Sequence, residues 1–73
     1  MKTYICEKHT DNPFRLSPEY QIQKGEKILA IHEDKVSTID CIAIERMDYQ
    51  GENSDERFTY IMKTDFINNF RDC

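Results

Sequence analysis

A chain of 73 residues with 14 acidic and 10 basic side chains, a net charge of -4, has room for a single domain with one small core. Its longest unbroken apolar run, Ile28 to Ile31, is far shorter than a membrane span, and the polar start carries no export signal, so a cytoplasmic protein is expected. Cys6, Cys41 and Cys73 are odd in number and widely spaced, which favours reduced thiols over a disulfide framework.

The first strand is expected at Lys2 to Cys6, where Lys2, Tyr4 and Cys6 alternate with Thr3 and Ile5. A polar loop follows from Glu7 to Asn12 and ends at Pro13. Ser17-Pro18-Glu19 is a helix start that Gly25 would close, yet Tyr20 and Ile22 alternate with Gln21 and Gln23 as in a strand. A short helical turn leading into a strand satisfies both signals. Lys27 to His32 reads as a strand, Glu33-Asp34-Lys35 as a turn, and Val36 to Met47 as a second strand, rich in β-branched residues, whose middle is apolar on both faces. Such a strand belongs inside a sheet. Arg57 to Lys63 has the cleanest period of two, with Phe58, Tyr60 and Met62 on one side and Arg57, Thr59 and Ile61 on the other. Thr64 is a candidate cap for a last helix, with Asp65 in its first turn and Phe66, Phe70 and Cys73 as its apolar stripe. The fold class expected is α+β, a small antiparallel sheet or SH3-like barrel of four to five strands with a short C-terminal helix. Residues 1–73 form one domain.

Charge is concentrated where two of these strands meet. Between Glu45 and Glu56 lie Glu45, Asp48, Glu52, Asp55 and Glu56 against Arg46 alone, while the other 61 residues carry nine acidic and nine basic side chains. A hairpin tip of this kind is a place to meet a basic protein partner, and Tyr49 at its root has the character of an exposed aromatic anchor rimmed by charge. The bland alternative is a solvated loop with Tyr49 folded back over the sheet edge. Tyr49 and the five carboxylates form the candidate partner-binding set. Binding to nucleic acid is disfavoured, because the basic residues are dispersed from Lys2 to Arg71 and the sequence pI is about 5.0. Imitation of DNA would call for more negative charge than this.

Catalysis finds little support. A Cys-His nucleophile needs an orienting group and an oxyanion hole, and a chain with two glycines has little material for the latter. The carboxylates of the acidic stretch lie in an expected exposed loop, where burial does not separate their pKa values, and they lack the ligand spacing of an EF-hand. The chain is therefore expected to be no enzyme. Cys6-Glu7-Lys8-His9 has the spacing of a zinc knuckle, and His32 with Cys41 offers a second pair for a structural zinc domain. The stretch Ile22 to Lys27 resembles the hairpin after the knuckle of treble-clef zinc proteins, although that family has a second short-spaced pair and His32 and Cys41 are far apart. Isolated thiols acting as small hydrophobes are the favoured reading, so no metal and no cofactor are expected. A third class is a subunit that assembles with itself, a homodimer, through an uncovered sheet edge. The run Tyr60-Ile61-Met62-Lys63-Thr64-Asp65-Phe66-Ile67-Asn68-Asn69-Phe70 resembles the strand-into-helix ending of small acidic proteins of bacteriophages and mobile elements. That resemblance implies a protein that binds and modulates a host or phage macromolecule, as an inhibitor or regulator.

Overall fold

The computed structural model describes residues 2–73. Strand β1 spans Lys2–Cys6, as its alternation requires. A long connection then crosses one end of the sheet and holds a single 3-10 turn, Pro18–Tyr20, before the chain re-enters the sheet as β2, Lys27–Val36. In the segment that read two ways, Ser17 makes no side-chain cap, Ile22 bridges to Thr10, and Gly25 takes φ +94 where the chain turns into β2. Helix and strand signals were therefore both real and both short.

Strand β3, Ile39–Arg46, returns antiparallel to β2. The turn between them is Ser37-Thr38, not Glu33-Asp34-Lys35. Asp34, Lys35 and Val36 stay paired with Cys41, Asp40 and Ile39, and Lys35 forms an ion pair with Asp40 at 3.1 Å. Ser37 and Thr38 have φ of 49 and 68, the two positive values of a tight primed turn whose twist matches the strands. A bulge at Ile31, between Ala30 and His32, shifts the register along β2.

The acidic connection leads through α1, Ser54–Arg57, into β4, Phe58–Met62. Helix α2 covers Lys63–Asn69 and passes directly into β5, Phe70–Asp72. Two expectations change here. Met62 rather than Thr64 stands at the N-cap of α2, and the helix stops before Phe70. Phe70, Arg71 and Asp72 pair instead with Cys6, Ile5 and Tyr4 of β1, which satisfies backbone groups that another turn of helix would leave bare. Cys73 lies exposed beyond this strand, so only Phe66 and Phe70 of the expected stripe turn inward.

The architecture is a five-stranded antiparallel sheet in the order β4-β3-β2-β1-β5, open between β4 and β5, with two short helices. One face carries the core: Cys6, Ile28, Ile42, Ile44, Ile61 and Phe70, joined by Ile22 from the long connection and by Tyr4, Ala30 and Phe66 at its margin. Tyr4 meets Phe66 edge-on at 4.7 Å, and Phe66 stacks on Phe70 at 5.9 Å. As its composition foretold, β3 is interior and buried on both faces from Cys41 to Ile44. The seven residues of α2 alone join the two edge strands. They span only about 10 Å, whereas a flat sheet would hold its edges about 19 Å apart. The sheet therefore curls around its core. Among the described residues no helix is long and apolar enough to cross a membrane.

Candidate partner-binding site

Arg46 organises the region that holds the acidic stretch. Its side chain is buried at the end of β3, where Nε and Nη2 meet Glu26 at 2.9 and 3.1 Å. Nη1 donates to the carbonyls of Glu19 at 2.6 Å and Glu56 at 3.4 Å, so one guanidinium ties the long connection to the acidic one. Burying this charge is tolerable only because each donor has somewhere to go. The long connection is otherwise stiffened by polar groups. Asn12 donates to Thr59 at 2.7 Å, accepts from the N-H groups of Phe14 and Arg15, and gives its own N-H to Gln21. Gln21 in turn donates to the carbonyl of Arg15 at 2.7 Å.

The acidic stretch folds around Tyr49. The guanidinium groups of Arg46 and Arg57 lie 5.6 and 5.7 Å from the centre of its ring, within cation-π range. Its hydroxyl donates to Glu56, and that hydrogen bond is the main reason the phenol pKa is raised, with burial adding to it. A Cβ at Gly51 would collide with the same hydroxyl, so the loop needs glycine where it passes the ring. Asn53 caps α1 by accepting from Asp55 N at 2.9 Å. Tyr49 is thus a half-buried clamp, folded back as the bland alternative had it.

The candidate carboxylates divide accordingly. Glu45 faces Arg57 at 3.4 Å, Asp55 faces Arg15 at 3.8 Å, and Glu56 is held by Tyr49. Asp48 and Glu52 are exposed and, among the described residues, enter no ion pair. The stretch is hence an ordered loop with two outward carboxylates. Beside it lies Phe58, 49% exposed on β4 directly across from Glu45, and Phe14, 37% exposed on the long connection. Phe58 carries the aromatic exposure expected of Tyr49. The signal was present in the alternation of β4, where Ile61 is on the buried face and Phe58 must point the other way. Arg46 had no comparable signal, since a lone arginine after a run of apolar residues reads as surface.

The four residues of the zinc reading are not brought together. Cys6 belongs to the core face and donates to the carbonyl of Lys8, whereas Cys41 and His32 sit on the opposite face of the sheet. His9 is engaged by Gln23 at 3.1 Å and Asp11 at 3.0 Å. Among the described residues no group of three or more His, Cys, Asp or Glu side chains is placed to hold a metal ion. Burial is the main cause of the raised thiol pKa of Cys6 and of Cys41, which makes both poor nucleophiles at neutral pH. No family model, curated protein or solved structure matches the chain.

Proposed function

We propose that the chain is a non-catalytic protein-binding module that meets a basic partner at its acidic loop and acts by occupying that partner's surface, as an inhibitor or regulator. The carrying observation is the Tyr49 clamp. A loop already fixed by Arg46, Arg57 and Glu56 presents Asp48 and Glu52 without the ordering cost that a flexible acidic loop would meet on binding. Exposed Phe58 beside Glu45 adds an apolar anchor within a charged rim, the usual composition of a contact surface. The strand order, with β4 and β5 joined by one short helix and a single core inside the curl, supports reading the sheet as a partly open SH3-like barrel. Three free cysteines, two of them buried, fit a reducing compartment such as the cytoplasm.

The test reverses charge only where the clamp is untouched. Wild type and Asp48→Lys/Glu52→Lys serve as bait in extracts of cells that express the protein, with bound proteins quantified at low and high salt. Recovery of a basic partner should fall with the double substitution and with salt. A partner recovered equally by both baits at low salt would remove the acidic loop from the contact.

A further inference from the structure

We propose that the free edge of β4 pairs with an extended segment of the partner, one that is apolar at alternate positions and basic at both ends. This rests on the reading of the chain as a protein-binding module and specifies how the partner is held. Strand β4 ends the sheet, and among the described residues no strand lies along its outer side. It is also a strand without the usual protection. Phe58-Thr59-Tyr60-Ile61-Met62 contains no charge, no proline and no glycine, and beyond the Phe58 N-H, which closes α1 on the Ser54 carbonyl, its outward backbone groups form a template for another strand.

The surroundings supply places for side chains. Two shallow grooves, of about 230 and about 220 Å³, meet at Phe58, Thr59 and Tyr60. The first runs past Phe14 and Arg15, and the second lies over Ile31 and Ala43 on the outer face of the sheet. Side chains of an added strand point alternately to the two sides of the sheet, so each groove receives every second residue. That arrangement selects an apolar alternation.

Charge selects the ends. At the Phe58 end Arg57 and Arg15 are paired with Glu45 and Asp55, which leaves Asp48 and Glu52 of the acidic loop in excess. At the Met62 end, across from Cys41, Lys35 is paired with Asp40 and Lys63 with Glu33, which leaves Asp34 of the β2-β3 hairpin in excess. An uncharged strand with carboxylates beyond both ends complements a segment with lysine or arginine at both of its own ends. A second copy is a poor fit. Antiparallel pairing of two β4 edges would set the acidic loop of one against the acidic hairpin of the other.

The probe is a synthetic peptide of alternating valine and threonine with two lysines at each end. It is compared with a glutamate-ended version and with one N-methylated at the residues that would donate to β4. Titration into the intact protein is followed by fluorescence anisotropy and by amide exchange. The lysine-ended peptide should bind and slow exchange within Phe58–Met62, the glutamate ends should weaken binding by about tenfold or more, and N-methylation should abolish it. Phe58→Ser, checked for an unchanged unfolded fraction, should weaken binding by about tenfold. Equal binding of the N-methylated peptide, or binding that leaves β4 exchange unchanged, would overturn the proposal. So would a dimer in light scattering whose β4 amides are already protected. If the lysine-ended peptide fails while Asp48→Lys/Glu52→Lys still loses the partner, the edge proposal falls and the acidic-loop reading stands. The reverse pattern leaves the edge and removes the loop.

Discussion

The two edges of the sheet are finished in opposite ways. Strand β5 has three residues, carries Arg71 and Asp72, and is fastened by Lys2–Asp72 at 2.8 Å and Arg71–Glu7 at 3.0 Å. It is short and charged, the form in which an edge resists accidental pairing. Strand β4 has five uncharged residues, places Ile61 in the core and turns Phe58 to solvent. Its ion pairs, Arg57–Glu45 and Lys63–Glu33, sit just beyond its two ends. One edge is short and charged, while along the other, among the described residues, no strand lies. In a domain of this size, whose single core rarely supplies more than about 3 to 5 kcal/mol, an unblunted aromatic edge is a hazard unless something is meant to cover it.

Four substitutions or conditions sharpen this contrast, beginning with the largest effect. Phe70→Ala empties the inward anchor of β5, 8% exposed, and should cost about 3 to 5 kcal/mol. Such a loss brings the chain to its unfolding threshold in a urea titration followed by circular dichroism. Arg46→Ala leaves Glu26, with only 18% of its side chain exposed, without its ion partner and releases both loops beside β4. A loss of about 3 kcal/mol is expected, with faster amide exchange in residues 18–22 and 48–56. Loop exchange that stays at the wild-type rate would show that the guanidinium does not couple them. Phe58→Ser, on the open edge, should shift stability by no more than about 1 kcal/mol, so the two edge aromatics separate by their cost as well as by their direction.

The smallest effect is a pH slope from His9. Both ring nitrogens face acceptor oxygens, on Gln23 and Asp11, so the doubly protonated ring is favoured and its pKa is raised, the Gln23 hydrogen bond first and Asp11 second. A raised folded-state pKa means stabilisation that is complete below the unfolded histidine value and is lost as pH rises through the folded one. The urea midpoint should therefore decline slightly as pH rises through and above the ordinary histidine range, and His9→Ala should flatten that decline. A slope unchanged in the variant would assign it to another group.

How much was legible differs by element, for physical reasons. β1 and β4 were readable because a half-buried strand writes its period directly into side-chain polarity. The interior position of β3 was readable because burial on both faces forces a continuous apolar run. The β2-β3 turn was misplaced because Glu33-Asp34-Lys35 has turn composition, yet cross-strand pairing with Asp40 and Cys41 keeps it extended. β5 was invisible because Phe66 and Phe70 have helical spacing, and only the bare flank of β1, a long-range fact, pulls Phe70 out of the helix. In the candidate site the acidic residues were plain from composition. The pairing of Asp55 and Glu45 with Arg15 and Arg57, and the hydrogen bond from Tyr49 to Glu56, depend on distances that no local pattern encodes.

The Ser37-Thr38 turn bears on how this sheet comes together in time. Two residues with side chains held at positive φ each carry a steric cost of about 1 kcal/mol or more, so the tight hairpin is an expensive place to start. A folding route that assembles the other strands first meets that cost only after its barrier. Asn-Gly at these two positions would relieve the cost in the native state and leave the earlier barrier alone. Stopped-flow experiments should then find slower unfolding with little change in the rate of folding.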